Sequence, residues 1–462
     1  MRMTLGSQVA VYNPTPKFLD WCKRTLTFPN PEFIKKSRMG FWTGNTPQTI
    51  SLYEMDGTTA LLPYGTMYQA MAQCEGCDLR LDLATPRKVD YEAEIPLYDY
   101  QEQAAESMSE WYCGILDSPP GSGKTQIMLS VAASLQRRAL WIVHTVDLVN
   151  QARNRALMYM PEELTGTITG GKVDIGECIT FATVQTLSQM DLRRYRYTWD
   201  IIIVDECHRI SGSPTQLTMY SKVLNNLAAR RKYGMTGTTH RSDGMIEATY
   251  ALIGRVVYEV PPEAVADKIM PVSILPRSMP TPRSWDYTDT DGMLIHTKLI
   301  SYLAENKERN EMIVSDLIEN MSHYNLILSD RVEHLRNLYA ALPPILKANA
   351  AVIDGKMTSK KARQEREQAL EDMRTGHKRY LFATYSLAKE GLDIPRLDRL
   401  YLTTPHKDYA VIKQAIGRVA RVFDGKEQPI AYDYVDGNID YCIRSYKKRC
   451  TTYRKAGCSF LE

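Results

Sequence analysis

The chain has 462 residues, of which 44% are hydrophobic and 24% are charged, and its 57 basic and 54 acidic side chains leave a formal net charge of +3. This length exceeds what one hydrophobic core usually organises, so more than one domain is expected. The composition excludes collagen-like, low-complexity and disordered chains, and so small a charge does not by itself indicate a nucleic-acid partner. No window is apolar for long enough to cross a membrane, and the first residues lack the apolar core of a signal peptide, so we expect a cytoplasmic protein.

Residues 1–90 form the first predicted domain, a small β-containing accessory domain. They mix turn sequences such as PNP and GNTP with short aromatic-rich runs such as GFWTGN. Lys35 and Lys36 belong to a basic cluster that is either a nucleic-acid contact or a solvated face, and we take both lysines as candidate nucleic-acid contacts. Phe41 and Trp42 either offer a flat surface to an unstacked base or lie in the core, and the core is the prediction for Trp42.

Nine cysteines are scattered along the chain, and Cys74 and Cys77 are the only pair with two residues between them. No second such pair stands at the spacing of a zinc finger, so we interpret all nine as free thiols. A zinc site that combines Cys74 and Cys77 with a distant ligand is the alternative.

From about residue 95 the sequence alternates short β-branched runs with longer helical stretches, which is the pattern of parallel sheets covered by helices. The first series of predicted strands comprises 112–118, 139–145, 178–183, 200–206 and 232–238. The second series comprises 325–330, 350–355, 379–386, 399–405 and 429–436. Each series has enough strands for one doubly wound domain, so the predicted fold class is α/β with two tandem parallel-sheet lobes.

A proline-rich passage at 260–285 separates the two series. Its prolines do not continue a helix or a central strand, so we interpret it as a connector. We therefore predict a first lobe at 91–280 and a second lobe at 281–462, which ends in a basic helix. This helix either lies on duplex phosphates or is a solvated surface helix. Its basic residues are Arg444, Lys447, Lys448, Arg449, Arg454 and Lys455.

The run SPPGSGKT, which ends at Thr125, follows a predicted strand and precedes a helical stretch, as a phosphate-binding loop does. Gly121, Ser122 and Gly123 form its turn, where glycine lets main-chain N–H groups approach phosphate oxygens. We expect Lys124 to reach the β- and γ-phosphates of a nucleotide. The first half of the motif is irregular, and an incidental glycine turn is the alternative.

A magnesium-dependent ATP site also needs a carboxylate at the end of a nearby strand, and the run IIIVDECH at 201–208 supplies it. Asp205 and Thr125 are the predicted Mg²⁺ ligands. Glu206 is predicted to orient and deprotonate the attacking water. ATP and Mg²⁺ are therefore the expected cofactors, and the alternative is a strand that simply ends in solvent.

The DECH run and the phosphate loop together resemble helicase superfamily 2, and further motifs follow in the order of that family over roughly residues 95–440. The resemblance implies that the two lobes are RecA-like and that nucleic acid stimulates ATP hydrolysis. It also implies that Gln101, in LYDYQ, contacts adenine. Thr145 and Thr186 would contact the nucleic-acid backbone.

The motif MTGTTHRSDG resembles the family's coupling motif, which implies that Thr236 and Thr238 link the ATP state to lobe closure and that Arg241 contacts nucleic acid. The run TYSLAKEGLDIP resembles a motif that touches both ligands. In it Thr384 would contact nucleic acid, and the residues at the nucleotide positions are Gly391 and Asp393.

The run QAIGRVAR resembles the arginine-finger motif of the family. It implies that Gln414 takes part in coupling and that Arg418 and Arg421 are catalytic. Charge that develops on the transferred phosphoryl group is met by guanidinium groups, and these two arginines have the spacing to share one helix face.

Within the superfamily, TGTTHRSDG, GLDIP and DGKEQPIAYDYVD resemble the branch that contains XPB, type III restriction motors and UvsW-type phage helicases. This implies a monomeric, ATP-dependent DNA helicase or translocase that remodels or unwinds forked, branched or duplex DNA in replication, recombination or repair, without sequence preference. An RNA helicase is the first alternative, although DEAD-box RNA helicases carry DEAD and HRIGR where this chain has DECH and QAIGR. The motor subunit of a nuclease or restriction complex is the second.

Overall fold

The chain forms two compact units, residues 1–264 and 265–462, in the computed structural model. The described residues are 1–74, 76–85, 88–89, 93–119, 121–237, 245–261, 263–265, 269–354, 360–389 and 392–461. Both units contain a mainly parallel sheet covered by helices, so the predicted α/β class with parallel-sheet lobes is confirmed. Within the described ranges, none of the helices has the length and apolar character of a membrane span.

The first unit opens with a small sheet. The strands in this part are β1 Arg2–Leu5, β2 Gln8–Tyr12, β3 Thr27–Pro29, β4 Thr49–Ser51, β5 Glu54–Asp56, β6 Thr59–Pro63 and β7 Asp78–Leu81. The helices are α1 Pro16–Thr25, α2 Pro31–Arg38 and α3 Met67–Gln73. Five strands pair in the order β5-β6-β2-β1-β7, and β3 pairs with β4. Burial alternates along β2, so Val9 and Val11 lie on the face that packs against Phe18 of α1.

Polar contacts fix this small sheet to the rest of the first unit. The buried Lys232 Nζ donates to Ser7 O at 2.8 Å, and Arg196 donates to Ser7 Oγ at 2.9 Å. Arg196 also pairs with Asp82 at 2.8 Å. The predicted accessory domain therefore has its own sheet but belongs to the same compact unit as the first lobe.

The large sheet of the first unit carries the first predicted series. Its strands are β8 Cys113–Asp117, β9 Ala139–Val143, β10 Thr165–Thr169, β11 Lys172–Val173, β12 Ile179–Thr183, β13 Ile201–Asp205, β14 Arg231–Thr236 and β15 Val256–Glu259. Its helices are α4 Asp99–Glu110, α5 Lys124–Leu135, α6 Val146–Ala156, α7 Val184–Gln189, α8 Pro214–Leu224 and α9 Ile246–Ile253. The order is β11-β10-β12-β9-β13-β14-β8-β15, and all neighbours are parallel except β10 and β11. All five predicted strands are present.

The second unit contains a seven-stranded sheet. Its strands are β16 Ser273–Met279, β17 Asn325–Ser329, β18 Ala350–Ile353, β19 Tyr380–Thr384, β20 Arg399–Leu402, β21 Ile430–Asp436 and β22 Ser459–Phe460. Its helices are α10 His296–Glu305, α11 Lys307–Glu319, α12 Val332–Ala341, α13 Pro344–Ala348, α14 Lys360–Thr375, α15 Tyr385–Lys389, α16 Tyr409–Val419 and α17 Asp440–Lys455. The parallel order β18-β19-β17-β20-β21-β16-β22 includes all five strands of the second predicted series.

The proline-rich passage is not only a connector, because strand β16 lies inside it and ahead of residue 281, the predicted start of the second lobe. Strand β16 pairs with β21 along its whole length, and Pro276 is one of the paired residues. On its other side, β22 pairs only with Ser273 and Ile274. Beyond them β16 has no further partner on that side in the described chain, so the missing N–H of Pro276 costs no ladder hydrogen bond.

The last helix, α17, is docked by a buried ion pair. Arg449 is 1% exposed and donates to the two carboxylate oxygens of Asp433 at 2.7 and 2.9 Å. Tyr453 donates to the same carboxylate at 2.6 Å. Arg449 therefore anchors α17 to β21, and both predicted surroundings, duplex phosphates and solvent, are wrong for it. The exposed basic residues of the helix are Arg444, Lys447, Lys448, Arg454 and Lys455.

Candidate functional site

The motifs of the first unit meet at the carboxyl edge of its large sheet. The phosphate-binding loop follows β8, Asp205 ends β13, and β14 lies between these two strands. In the parallel ladders Asp205 is level with Met235, and Thr236 is level with Asp117. Ser118 N donates to Thr236 O at 2.9 Å. The strand order therefore brings the loop, the carboxylates and the coupling motif to one edge.

Two glycines give the phosphate-binding loop its turn. Gly121 has φ +87° and Gly123 has φ +78°, in the region that only glycine occupies readily. Gly123 is also the N-cap of α5, and a Cβ on it would clash with the side-chain amide of Gln101. The loop thus leads directly into a helix N-terminus, where main-chain N–H groups favour an anion.

Gln101 supports the loop from behind. It is 2% exposed, its Nε2 donates to Ser122 O at 2.9 Å, and its Oε1 accepts from Tyr98 N at 2.9 Å. Tyr100 OH donates to Ser122 O as well, at 3.0 Å. The structure therefore shows Gln101 holding the phosphate-binding loop, and its contact with adenine stays a prediction.

Lys124 and the two carboxylates form the charged centre of this edge. Lys124 Nζ donates to Ser118 O at 3.3 Å, and its positive charge acts on both Asp205 and Glu206. Burial and the neighbouring Glu206 charge raise the pKa of Asp205 well above its usual range. Burial alone would also raise the pKa of Glu206, but Lys124 and His208 lower it below its usual range. Two adjacent carboxylates thus share one lysine, and Glu206 is the more readily ionised.

Glu206 is held in an unusual backbone conformation. Its φ of +48° is left-handed, which is uncommon for a residue with a side chain, and its N–H donates to Asp205 Oδ1 at 2.8 Å. Its Oε2 is buried and lies 3.3 Å from His208 Nδ1, an ion-pair distance without good hydrogen-bond geometry. Strained residues and unsatisfied buried acceptors are typical of functional sites.

His208, the last residue of the DECH run, connects this centre to the coupling motif. Its Nδ1 lies 2.8 Å from Thr236 Oγ1 and 3.3 Å from Glu206 Oε2. Thr236 is a predicted coupling residue, whereas no function was predicted for His208. Its position in the DECH run, two residues after Glu206, is the signal that points to this centre.

The donor set at this edge fits a magnesium ion. Mg²⁺ prefers oxygen ligands and is usually bound by one or two carboxylates together with substrate phosphates. Asp205 offers a carboxylate, Thr125 a half-buried hydroxyl, and Glu206 a second, adjacent carboxylate. All nine cysteines, including Cys74 and Cys77, are free thiols, and the described residues contain no group of three or more His, Cys, Asp or Glu that could hold a metal ion.

Two threonines predicted to contact nucleic acid lie further along the same edge. Thr145 is the N-cap of α6, and its Oγ1 accepts from Leu148 N at 3.4 Å. Thr186 lies in the first turn of α7, and its Oγ1 is 2.9 Å from that of Thr183. Because β9 and β12 are neighbours, both helices begin side by side. Both threonines are half-buried.

The arginine-finger candidates of the second unit do not share a helix face. Arg418 is on α16 and donates to Ala388 O at 3.1 Å. Helix α16 ends at Val419, and Arg421 beyond it forms a bridge with an adjacent segment and an ion pair with Asp393. The prediction of one shared face is therefore wrong, because the helix stops too early.

Gln414 and Thr384 lie in the same unit as the arginines. Gln414 of α16 is 8% exposed, and its Oε1 has no hydrogen-bond partner in the part of the chain that the structure describes. Thr384 ends β19, and its hydroxyl lies 3.0 Å from that of Ser386. Three further candidates lie outside the described residues: Thr238, Arg241 and Gly391.

The candidates in the small N-terminal sheet region differ from one another. Lys35 is exposed, whereas Lys36 pairs with Glu32 at 2.7 Å and donates to Thr46 at 2.8 Å. Trp42 is 88% exposed, so the prediction that it lies in the core is wrong. It follows α2 on a loop, where no apolar core covers it.

Two family models match the chain. The model described as "Type III restriction enzyme, res subunit" matches residues 94–241, and the model described as "Helicase conserved C-terminal domain" matches residues 299–423. Together they contain the phosphate-binding loop, the DECH run, Arg418 and Arg421.

The curated relatives include cellular and viral proteins. "DNA 3'-5' translocase XPB2" of Sulfurisphaera tokodaii is 29% identical over 38% of this chain and 38% of its own length. "Probable helicase D10" of Escherichia phage T5 is 23% identical over 98% of this chain and 94% of its own length. In the first four relatives the match spans between 27% and 66% of their length.

A solved structure gives the same fold. The chain resembles a variant of Dbp5 from S. cerevisiae, bound to RNA and ADP BeF3, with a TM-score of 0.55 and 15% identity, over 80% of this chain and 90% of the other. At this identity the similarity concerns the fold alone, and it supports tandem RecA-like lobes. The two family models and the relatives support a helicase of superfamily 2 that is similar to XPB proteins.

Proposed function

We propose that the protein is an ATP-dependent DNA helicase or translocase that remodels or unwinds forked, branched or duplex DNA in replication, recombination or repair. One observation carries the proposal: several functional groups meet at a single sheet edge. They are the phosphate-binding loop, Lys124, the two carboxylates and the contact between His208 and Thr236. The choice of DNA is supported by the name of the Sulfurisphaera relative, a DNA translocase.

In this proposal each residue of the edge has a defined task. Main-chain N–H groups of the loop and Lys124 bind the phosphates of ATP. Glu206, the more readily ionised carboxylate, orients the attacking water and accepts its proton. Mg²⁺, held by Asp205 and Thr125, would neutralise charge on the phosphates when bound. Arg418 and Arg421 are proposed as arginine fingers, whose guanidinium groups stabilise the charge of the transition state.

His208 is proposed to report the state of the carboxylate centre to the coupling motif. It contacts Thr236 Oγ1 and lies close to Glu206 Oε2, so a movement of Glu206 reaches β14 through one side chain. Helix N-termini attract phosphates, and Thr145 and Thr186 begin neighbouring helices on the same sheet edge. We propose that nucleic-acid phosphates bind there without sequence preference, and with an affinity that falls steeply as salt rises.

The test is ATP hydrolysis by the purified protein without nucleic acid and with single-stranded DNA, duplex DNA, a branched DNA junction or RNA. Lys124→Ala is the blank, because it removes the ammonium that binds the phosphates. We expect strong stimulation by branched or duplex DNA and little by RNA. Stimulation by RNA alone would overturn the DNA assignment in favour of an RNA helicase.

A second candidate is the motor subunit of a nuclease or restriction complex, which the name of the first family model favours. Such a motor hydrolyses ATP in response to DNA only with its partner. Equal ATPase rates with and without every nucleic acid would therefore favour this candidate over the first.

A further inference from the structure

Two aromatic side chains project into solvent from the segment that joins α2 to β4. Trp42 is 88% exposed and Phe41 is 61% exposed, whereas most other aromatic side chains of the described residues are buried or half-buried. Burying the surface of a tryptophan is strongly favourable, so one that remains this exposed needs an explanation.

The Trp42 ring is positioned rather than loose. Gly44 has φ +52°, and a Cβ on it would lie 2.8 Å from Cζ3 and 3.0 Å from Cη2 of the indole. The six-membered ring of the indole therefore packs close to the bare Cα of Gly44, and most of the Trp42 side chain stays open to solvent. Behind it, the buried Asn30 braces the segment, since its N–H donates to Gln48 O and its side chain donates to Pro47 O, both at 2.9 Å.

The surroundings of the ring are basic. Lys35 and Arg38 are exposed on α2, and Phe41 N donates to Lys36 O, so the aromatic pair starts directly at the end of this basic helix. Trp42 and Lys36 both line a groove of about 890 Å³ that reaches Lys222 of α8. Of the glutamates in its lining, Glu32 is neutralised by Lys36, whereas Glu54 has no ion-pair partner among the described residues.

Trp285 shows that an exposed tryptophan is not by itself a sign of a nucleic-acid contact. It is 81% exposed in the second unit, but the same loop contains Asp286, Asp289 and Asp291. Such a loop repels phosphates. Trp42 thus combines an open ring face with nearby cations, and Trp285 does not.

We propose that Trp42 is a stacking platform for an unpaired nucleobase, with Lys35 and Arg38 on the phosphates that flank it. An aromatic face is the general means of binding single strands without sequence preference, and the basic helix supplies the complementary charge. The occupant is a single-stranded segment of the nucleic acid on which the motor acts, so the proposal rests on the proposed function.

The experiment measures binding of two labelled strands in the absence of ATP. One is oligodeoxythymidine, and the other has the same length and phosphates but abasic sugars. For Trp42→Ala we expect binding of oligodeoxythymidine to weaken about fivefold to a hundredfold, and binding of the abasic strand to stay unchanged. Trp42→Phe should retain much of the affinity. Lys35→Gln should weaken both strands equally and reduce their salt dependence.

Trp285→Ala is the matched control and should bind both strands like the wild type. Equal affinity of Trp42→Ala and wild type for oligodeoxythymidine would overturn the proposal. So would an equal loss on both strands, because a loss without bases is not stacking. ATP hydrolysis decides the proposed function separately. If DNA stimulates the wild type but Trp42→Ala binds oligodeoxythymidine normally, only the stacking platform is refuted.

Discussion

Buried charges are arranged in opposite ways in the two units. In the second unit Arg449 pairs with Asp433 at 2.7 Å, and Arg309 pairs with Asp436 at 3.0 Å. All four side chains are at most 1% exposed, and both pairs are supplemented by hydroxyl donors. Arg309 Nη1 has no hydrogen-bond partner among the described residues, but each carboxylate faces its own guanidinium group, and such pairs hold elements together.

At the sheet edge of the first unit the pairing is incomplete. The adjacent carboxylates of Asp205 and Glu206 share one lysine, Lys124, and Glu206 is also close to His208, whose Nδ1 lies 3.3 Å from its Oε2. Glu206 is also held at a left-handed φ. The comparison shows that two adjacent buried carboxylates, which perturb each other's pKa, mark the candidate site, whereas in the second unit each buried carboxylate has its own arginine.

Glu206→Gln should cause the largest effect. The amide keeps the size of the side chain but cannot accept a proton, so we expect kcat for ATP hydrolysis to fall about 10²- to 10⁴-fold. Binding of a fluorescent ATP analogue should persist, and the melting temperature should not fall, because an incompletely paired charge is removed. Glu110→Gln, at an exposed glutamate of the same unit, is the control. Wild-type turnover by Glu206→Gln would contradict the role of this carboxylate.

Arg449→Met tests the other side of the comparison. It leaves the Asp433 carboxylate buried with only tyrosine as a donor, so the free energy of unfolding should fall by about 3–5 kcal/mol. Urea denaturation measures the change. Lys448→Met is the matched control, since the neighbouring lysine is exposed, and it should alter stability by less than about 0.5 kcal/mol. Equal midpoints for the two variants would show that the pair does not stabilise the fold.

Much of the fold could be predicted from the sequence, because central parallel strands are buried on both faces and appear as continuous apolar runs. Strand β13, Ile201–Asp205, is an example. The missed strands are short or lie near sheet edges. Strand β16 was hidden by Pro276, whose suitability depends on how far its neighbour β22 extends, and that is a tertiary property.

Individual side chains were harder to predict than strands. Trp42 is a large apolar residue, and only the loop around Gly44 makes it exposed. Arg449 stands in a basic run, but Cys442, Ser445 and Tyr453 mark the same helix face as buried, so helical spacing carried the signal. The DECH run places His208 near the carboxylates, but its contact with Thr236 of β14 is a tertiary property that no local pattern gives.

Lys232 is a buried lysine without a carboxylate partner in the described chain, which sets it apart from the arginines of both buried pairs. It donates to Ser7 O and Leu224 O, and burial lowers its pKa from 10.5 to about 7. Below about pH 7 the lysine is protonated in both states, and between pH 7 and 10.5 mainly in the unfolded state. Stability should therefore rise with pH in this window, by up to about 1.4 kcal/mol for each pH unit, relative to Lys232→Met.

Chemical denaturation of both proteins at pH 7, 8 and 9 measures this difference. Lys222→Met, at a lysine that is not fully buried, is the control and should follow the wild type. A difference between wild type and Lys232→Met that does not change with pH would mean that the lysine keeps its charge in the folded protein.

The smallest expected effect concerns the contact between His208 and Thr236, which joins the incompletely paired centre to β14. The test is a double-mutant cycle with His208→Ala, Thr236→Val and the double variant. The rate of nucleic-acid-stimulated ATP hydrolysis should give a coupling energy of about 1 kcal/mol, which is the size of one hydrogen bond. The unstimulated rate should show less coupling, because the contact transmits a state rather than supplying a reacting group. Additive losses in the stimulated rate would mean that the two side chains act separately, and that the carboxylate centre signals to the rest of the motor by another route.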